Sequence, residues 1–424
     1  ANAYIVDPPD PLASPNPFDI VQLMSVSVPG SPGSVIEMYV PGPGWVPYSS
    51  SSPELPLAKG IKVSKKNPKP GDVDHYTRVR TYKQLAARYY DPNRNWPWVW
   101  QPGYVQRGAH HYPFSILECR MVGDFLAAHP NIAGAQSYHN TGGMILRGPG
   151  TKAEDYDPAD VAVLTEIARK GEKMLPGYRY IETAEDLYEV HGGSTDWLYD
   201  MLGIFSFTNE LFTSFNLFRT ASKGGYFGNS EDHHLFDKYL LFGEAFVPWH
   251  EVDHPQFGKV EVGGFKKSWL RQPPSFLLEE ECHRNMAFTL YHADQMPQVR
   301  IQAVGTRPLA GGLTEVTATV FNPKVIPTRA AVDVKRKLTQ PDHVSLAGPD
   351  MQVLLGMTSD DPVFRHPREQ KRRPADLQID TIAGMHAVYA RWIVAGKGPF
   401  TVQVRSAKGG VAESTFVEIP VSTR

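Results

Sequence analysis

The chain is poor in the features that mark several large classes of protein. Two cysteines, Cys119 and Cys282, among 424 residues are too few for a disulfide scaffold, and the sequence leaves open whether they pair. No apolar run approaches the roughly 18 residues that a membrane-spanning helix needs. A net charge of −2 gives no electrostatic reason to expect nucleic acid or an anionic membrane surface as a partner. The apolar fraction of 41% is instead typical of a globular protein.

The length predicts more than one domain, and the pattern along the chain divides it into three regions. Residues 1–81 are rich in Pro, Gly and Ser, which predicts an irregular region packed on a larger body; a disordered linker is the alternative. Residues 82–296 alternate between helical and buried-strand patterns, which predicts an α/β domain with a mixed sheet flanked by helices. Residues 297–424 contain short strands separated by turns and no helical pattern, which predicts an Ig-like β-sandwich.

Two predicted strands of the middle region end at residues able to do chemistry. A strand over Ile132–Tyr138 leads directly to His139, and a second over Gly203–Glu210 ends in a carboxylate. Two helices are predicted around them: Ser115–Ala128, opened by a capping box of Ser115 and Glu118, and one from Pro158 to Gly171, capped by Asp157. The pattern therefore places an imidazole and a carboxylate at strand ends.

The peptide DPNRNW places Asn93 beside Arg94. A guanidinium next to an amide suits a carboxylate ligand, because it combines a rigid fork of donors with a fixed positive charge. A surface turn with a solvated arginine is the alternative. The tryptophans at 96, 98 and 100 are predicted to be core residues that make the loop rigid, in preference to a platform for carbohydrate.

His139 and Glu210 carry the remaining chemistry. A histidine at a strand end can offer a ring nitrogen to a metal, although a lone histidine is more often a hydrogen-bonded structural residue. A carboxylate such as Glu210 on an apolar strand is costly to bury unless it is paired or functional. Both residues are therefore candidates for a reactive site.

In their order and spacing, three peptides resemble consecutive blocks of the zinc carboxypeptidases of the carboxypeptidase A class. These are DPNRNW (Asp91–Trp96), SYHNTGG (Ser137–Gly143) and the segment His191–Leu211, which contains FSFTNEL. The resemblance covers about Tyr90–Met296 and is greatest to the large secreted bacterial members that carry an added β-sandwich. It implies a carboxypeptidase-like fold, a Zn²⁺ cofactor, peptide or protein C-termini as substrates, and an extracellular or periplasmic location.

The resemblance also implies a role for each candidate residue. Asn93 and Arg94 would hold the terminal carboxylate, His139 would be one of three zinc ligands, and Glu210 would be the general base. Tyr188 would close over the bound terminal residue.

The resemblance extends to the specificity pocket and the oxyanion. Thr195 would lie at the base of the side-chain pocket, whose floor would then be neither acidic nor strongly apolar. An arginine stabilises the oxyanion in the family; Arg78 and Arg80 lie in that direction, and no motif selects between them. A solvated basic strand is the alternative for both. Asn140 and Thr141 stand where the family commonly has serine and tyrosine, so the local substrate contacts are expected to differ.

The family takes its first two zinc ligands from a His-x-x-Glu motif ahead of the Asn-Arg pair. We expect this motif to be absent from the chain, and no histidine ahead of Asn93 is followed three residues later by glutamate. Two interpretations follow. Because the chain starts Ala-Asn-Ala-Tyr without methionine, an earlier segment of the same precursor is one expected source of the missing ligands. Alternatively, the chain is a catalytically inactive relative with a binding or assembly role.

Overall fold

The computed structural model describes residues 90–220, 230–254, 258–266, 269 and 271–417, together with four short strands near the N-terminus. Those strands are β1 (Tyr4–Ile5), β2 (Leu23–Ser27), β3 (Ser34–Val40) and β4 (Gly44–Tyr48). Strands β2, β3 and β4 form an antiparallel sheet. The other predictions for residues 1–81, including those for Arg78 and Arg80, lie outside the described residues.

A four-stranded mixed sheet forms the centre of the middle region. Its strands are β5 (Gly134–Asn140), β6 (Met144–Arg147), β7 (Arg179–Glu182) and β8 (Phe205–Leu211), in the order β5-β8-β6-β7. Strand β8 runs parallel to β5 and antiparallel to β6. It lies inside the sheet because its residues are apolar or hydrogen-bonded and nearly all are buried. The predicted mixed sheet is confirmed.

Helices and a β-hairpin make up the rest of the middle region. The helices are α1 (Leu117–Ala128), α2 (Pro158–Met174), α3 (Thr183–Asp186), α4 (Ser194–Leu202), α5 (Phe215–Phe218), α6 (Ser230–Leu240) and α7 (Ser275–Asp294). Strands β9 (Phe246–His254) and β10 (Gly258–Lys266) form the hairpin, and β1 pairs in parallel with β10. Leu164 and Ile167 of α2 and Phe288 of α7 pack with Ile145 and Phe207 of the sheet.

The start of α2 agrees with the prediction and the start of α1 does not. The Asp157 side chain accepts a hydrogen bond from the Ala159 amide, as expected for a cap. In α1 the predicted capping box is wrong, because the helix begins at Leu117 and has no side-chain cap of its own. Asn95 accepts from the Ile116 amide at 2.9 Å, and the Ser115 hydroxyl accepts from the Asn95 amide group instead.

The C-terminal region has two antiparallel sheets that share one core. The first has the order β11-β12-β17-β14-β15 and the second β16-β13-β18-β19. The strands are β11 (Arg300–Pro308), β12 (Leu313–Asn322), β13 (Asp342–Ala347), β14 (Gln352–Ser359), β15 (Arg368–Glu369), β16 (Asp376–Ile379), β17 (His386–Ala395), β18 (Phe400–Ser406) and β19 (Gly410–Phe416). Val316 and Trp392 from one sheet pack with Val344 and Phe400 from the other. This arrangement is a β-sandwich.

The expectation that no helix lies in this region is wrong. A short helix, α8 (Ala331–Arg336), connects β12 to β13. Six residues are too few to produce a helical repeat in the sequence. The helix is anchored from outside the sandwich, because the Asp160 carboxylate of α2 accepts from the Ala331 and Val332 amides at 2.8 and 3.1 Å.

The cysteine question is resolved by the structure. Cys119 is buried, Cys282 is exposed, and neither forms a disulfide. Every helix among the described residues is too short or too polar to span a lipid bilayer.

A buried histidine on α7 predicts a pH-dependent stability. Burial lowers the pKa of His292 from 6.5 to about 4, so the ring stays neutral in the folded protein until the pH falls to about 4. The unfolded chain takes up this proton at higher pH, so the stabilisation is complete above pH 6.5 and is lost as pH falls towards 4. We expect a loss of about 3 kcal/mol over this range.

Urea titrations of the wild-type protein and of His292→Gln at several pH values would measure this loss. The variant should lack this part of the pH dependence, whereas His283→Gln, at an exposed position on the same helix, should retain it. Parallel pH curves for the wild type and His292→Gln would contradict the assignment.

Candidate active site

Strands β5 and β8 bring His139 and Glu210 together. The two residues are register partners on adjacent parallel strands, near the ends where both strands leave the sheet. His139 Nδ1 lies 4.0 Å from Glu210 Oε1. The Glu210 side chain is 12% exposed and that of His139 is 33% exposed. The carboxylate is therefore largely removed from water, while the imidazole can still be reached.

The surroundings change the acidity of both groups. Burial raises the pKa of Glu210 to about 7, and the positive charges of Arg271 and Arg94 oppose that rise. Burial lowers the pKa of His139; Asp91 raises it and Arg94 lowers it. A carboxyl group with a pKa near neutrality can both accept and return a proton, and a neutral imidazole keeps a lone pair for a ligand.

The second part of the site is the loop Asp91–Trp100, here called the carboxylate loop. The Ser194 amide and hydroxyl both donate to Asn93 Oδ1, each at 2.9 Å. Because a backbone amide can only donate, this contact fixes the orientation of the Asn93 side chain and leaves its Nδ2 hydrogens for another acceptor. Arg94 donates from Nη1 to the Asn93 carbonyl at 2.8 Å, with Asp91 Oδ2 at 3.7 Å from the same nitrogen.

Buried neighbours hold the carboxylate loop in place. The Asn95 side chain is fully buried and donates to the Ala109 and Tyr112 carbonyls at 2.7 and 2.8 Å. Trp96 is buried against Phe114 and Trp197, with Trp98 packed beside them. The prediction that these tryptophans are core residues is confirmed for Trp96, and Trp98 packs partly buried against the same cluster. Trp100 is only partly buried and donates from Nε1 to the Ala109 carbonyl at 3.1 Å.

A glycine of the following turn leaves room for this loop. Gly192 has a φ of +68°, and its carbonyl accepts from the Trp96 amide at 3.0 Å. A Cβ atom at this position would lie 2.6 Å from the Arg94 carbonyl oxygen, which is a backbone atom that cannot move alone. We therefore expect Gly192→Ala to displace Arg94.

The matched control for Gly192→Ala is Gly410→Ala. Gly410 has a φ of +80° and nothing within 4 Å of the added Cβ, so alanine there costs only the backbone strain, about 1–2 kcal/mol. Gly192→Ala should destabilise the protein more than this control in urea unfolding, because it adds a clash with backbone to the same strain. Equal losses of stability would contradict the role of Gly192.

The other two predicted residues, Thr195 and Tyr188, differ in how they are connected to the site. Thr195 shares a hydrogen bond of 2.9 Å between its hydroxyl and that of Thr208, which lies two residues before Glu210 on β8. It is therefore joined to the strand that carries the candidate base. The Tyr188 side chain is 51% exposed, and within the described residues no hydrogen bond or ion pair joins it to Asn93, Arg94 or Glu210.

Sequence reasoning missed three residues near the site. Ser194 orients Asn93, Asp91 lies beside Arg94, and Arg271 acts on the Glu210 charge. The Gly-Gly-Ser turn offered a signal for Ser194, and the DPNR peptide one for Asp91. Arg271 is held to Asn140 by two hydrogen bonds of 3.2 Å and follows Glu210 by 61 positions, so no local motif indicated it.

The described residues do not fit a complete zinc site. A hydrolytic zinc needs three protein ligands and an open position. Among the residues that the structure describes, no group of three His, Cys, Asp or Glu side chains could hold a metal ion. His139 remains a candidate ligand without described partners for the same ion.

The chain does contain one His-x-x-Glu peptide, so the expectation that the motif is absent is wrong. His366-Pro-Arg-Glu369 lies in the sandwich, where both His366 and Glu369 are exposed and Glu369 pairs with Met357 at the edge of a sheet. It follows the Asn-Arg pair and belongs to a different region from His139, so it does not correspond to the family's ligand pair.

Comparison with known proteins gives two family matches. Residues 63–223 match the zinc carboxypeptidase family, and residues 298–417 match a domain of unknown function, DUF8731. The chain is 30% identical to carboxypeptidase A1 of Sus scrofa over 150 residues, which are 32% of this chain and 34% of that protein. It is 29% identical to carboxypeptidase A2 of Rattus norvegicus over 132 residues, or 28% of this chain and 31% of that protein.

A solved structure gives a match of similar extent. Carboxypeptidase A from Helicoverpa armigera is 24% identical and aligns over 32% of this chain and 37% of that chain, with a TM-score of 0.26. The chain thus spans about a third of the length of the curated relatives that it matches.

Proposed function

We propose that this chain carries the C-terminus-binding and proton-transfer residues of a metallocarboxypeptidase that hydrolyses C-terminal residues from peptides; the match of residues 63–223 to the zinc carboxypeptidase family supports this. The observation that carries the proposal is the position of Arg94. Its charge acts on both members of the His139–Glu210 pair, while Ser194 holds Oδ1 of its neighbour Asn93 and no described residue accepts a hydrogen bond from Asn93 Nδ2.

The binding step uses the carboxylate loop. Arg94 has further guanidinium hydrogens beyond the one donated to the Asn93 carbonyl, and Asn93 Nδ2 supplies neutral donors beside it. A peptide's terminal carboxylate can accept from both, and its charge would be neutralised in a partly desolvated loop. An amidated terminus lacks the charge, so free acids should be preferred.

The proton step uses Glu210. With a pKa of about 7, its carboxylate can take a proton from the water that attacks the scissile carbonyl. It then gives that proton to the amine nitrogen as the carbon–nitrogen bond breaks. One proton is moved and the base is regenerated, so turnover needs no other acid.

The metal is the incomplete part of the proposal. The matched part of the chain spans about a third of its relatives, which supports a source of the two remaining zinc ligands in a segment that is not in this chain. Elemental mass spectrometry on native material tests this point. About one zinc per polypeptide is expected for a complete centre; absence of zinc even after incubation with it would favour the alternative below.

A pair of peptides tests the function itself. The two peptides share one sequence and end in a free carboxylate or in an amide, and binding is measured by calorimetry while released amino acids are measured by mass spectrometry. We expect tighter binding of the free acid and release of its last residue. Equal binding of the two peptides would overturn the proposal.

The alternative is a catalytically inactive, peptidase-like protein with a binding or assembly role. The incomplete ligand set around His139 in the described residues favours it. It predicts a preference for free C-termini without any release of amino acids, so zinc-dependent release would exclude it.

The proposal also includes a domain division and a location. We place the domain boundaries after residues 81 and 296, so that the sandwich is a separate domain. An extracellular or periplasmic location is likewise proposed from the family alone.

A further inference from the structure

Helix α4 is linked to the carboxylate loop at three positions spaced three residues apart, two by direct contact and one through a third side chain. Ser194 holds Asn93, and three residues later the Trp197 ring lies 5.1 Å from that of Trp96. Another three residues on, Asp200 faces Trp98 through a third side chain, Arg336 of α8. Residues spaced by three follow one side of a helix, so α4 and the loop are joined along the length of the helix.

Arg336 supplies the last of these three contacts from the C-terminal region. Its Nη2 lies 3.0 Å from Asp200 Oδ1, and its Nη1 donates to the Asp200 carbonyl at 3.1 Å. Its guanidinium carbon also lies 4.3 Å from the centre of the Trp98 ring, which is a cation–π contact. One guanidinium thus links the sandwich region, α4 and the loop that carries Arg94.

The same helix is held at its end by a second cation from the sandwich. Lys408 donates from Nζ to the Leu202 and Gly203 carbonyls at 2.9 and 2.5 Å, where the free carbonyls of α4 carry partial negative charge. In the other direction, Asp160 binds the first amides of α8 and accepts from the Tyr199 hydroxyl at 2.8 Å. The position of Arg336 is therefore fixed from both sides.

The Arg336–Asp200 pair is suited to fixing the position of α4 relative to the carboxylate loop. The Asp200 side chain is 4% exposed, so removing Arg336 leaves a buried carboxylate unpaired. The residues that Arg336 contacts are then expected to shift. The affected elements are the last turns of α4 and Trp98, four residues after Arg94. A shift of about 1 Å in the loop is enough to misalign a guanidinium fork with a carboxylate.

We propose that Arg336 is a positioning residue, through which the β-sandwich holds α4 against the carboxylate loop so that Asn93 and Arg94 face the peptide's terminal carboxylate. This inference rests on the proposed function and gives the sandwich a role in it. Arg336 does not touch the peptide itself.

The test compares affinities for the free-acid and amidated peptides, since a general loss of folded protein lowers both equally. Arg336→Met should reduce the preference for the free acid by roughly tenfold or more. Arg336→Lys, which can pair with Asp200 but lacks the planar fork, should recover part of it. The control is Arg307→Met in the same region, because Arg307 pairs with Glu315 and its side chain is 56% exposed. The control should leave the preference unchanged.

A second variant covers the case in which Arg336→Met does not fold. Asp200→Asn keeps the side-chain volume and removes the charge that Arg336 pairs with, and it should also reduce the preference. A folded Arg336→Met or Asp200→Asn protein with an unchanged preference would overturn the inference. A wild-type protein with no preference would instead overturn the proposed function, and this inference with it.

Discussion

Glu210→Gln is expected to reduce the release of C-terminal residues by about 10²- to 10⁴-fold, the contribution that a positioned general acid–base normally makes. The substitution keeps the shape of the side chain and removes the group that accepts the proton. Peptide binding should change little, because Asn93 and Arg94 lie on a different element. Mass spectrometry of released amino acids under single-turnover conditions measures the rate directly.

The control for Glu210→Gln is Glu185→Gln. Glu185 lies on α3 and forms an exposed ion pair with Lys152. Its replacement should therefore have no effect on release. Near-normal release by Glu210→Gln would show that another group handles the proton. If the wild-type protein releases nothing with zinc present but binds free acids, the inactive alternative is preferred.

The local sequence pattern predicted the two strands that carry His139 and Glu210. Both the strand ending near His139 and the one ending at Glu210 were predicted as buried strands. This is correct for β8, whereas β5 has a largely polar sequence and is only partly buried. Their pairing could not be predicted from the pattern, because β5 and β8 are separated by two other strands along the chain and only the folded sheet makes them neighbours. The resemblance to a family supplied the expectation that these residues meet.

Contacts made over long sequence separations could not be predicted. Arg271 comes to Asn140 from a segment with no recognisable motif, and Arg336 comes to Trp98 from another region. The capping error has the same origin. A serine ahead of a helix predicts a cap, but here the buried Asn95 side chain bonds both the Ser115 hydroxyl and the Ile116 amide. Asn95 is about 20 residues away along the chain, so no local rule predicts this competition.

Arg94→Gln is expected to weaken binding of the free-acid peptide by about 2–4 kcal/mol, or roughly 30- to 1,000-fold, and to leave the amidated peptide nearly unaffected. The Arg94 side chain is 16% exposed, so its charge is only partly screened by water, and glutamine supplies neutral donors without that charge. Calorimetry with both peptides separates loss of carboxylate recognition from general damage to the loop.

Arg94→Lys sharpens this comparison because it keeps the charge and removes the fork. A lysine should recover part of the affinity if charge dominates, and little if the paired geometry with Asn93 dominates. The matched control is Arg169→Gln on α2, where the arginine is 60% exposed and pairs with Glu172. Because exposed pairs of this kind contribute about 0–1 kcal/mol, that variant should bind both peptides like the wild type. Equal losses for the two peptides in Arg94→Gln would mean that Arg94 supports the loop and does not bind the carboxylate.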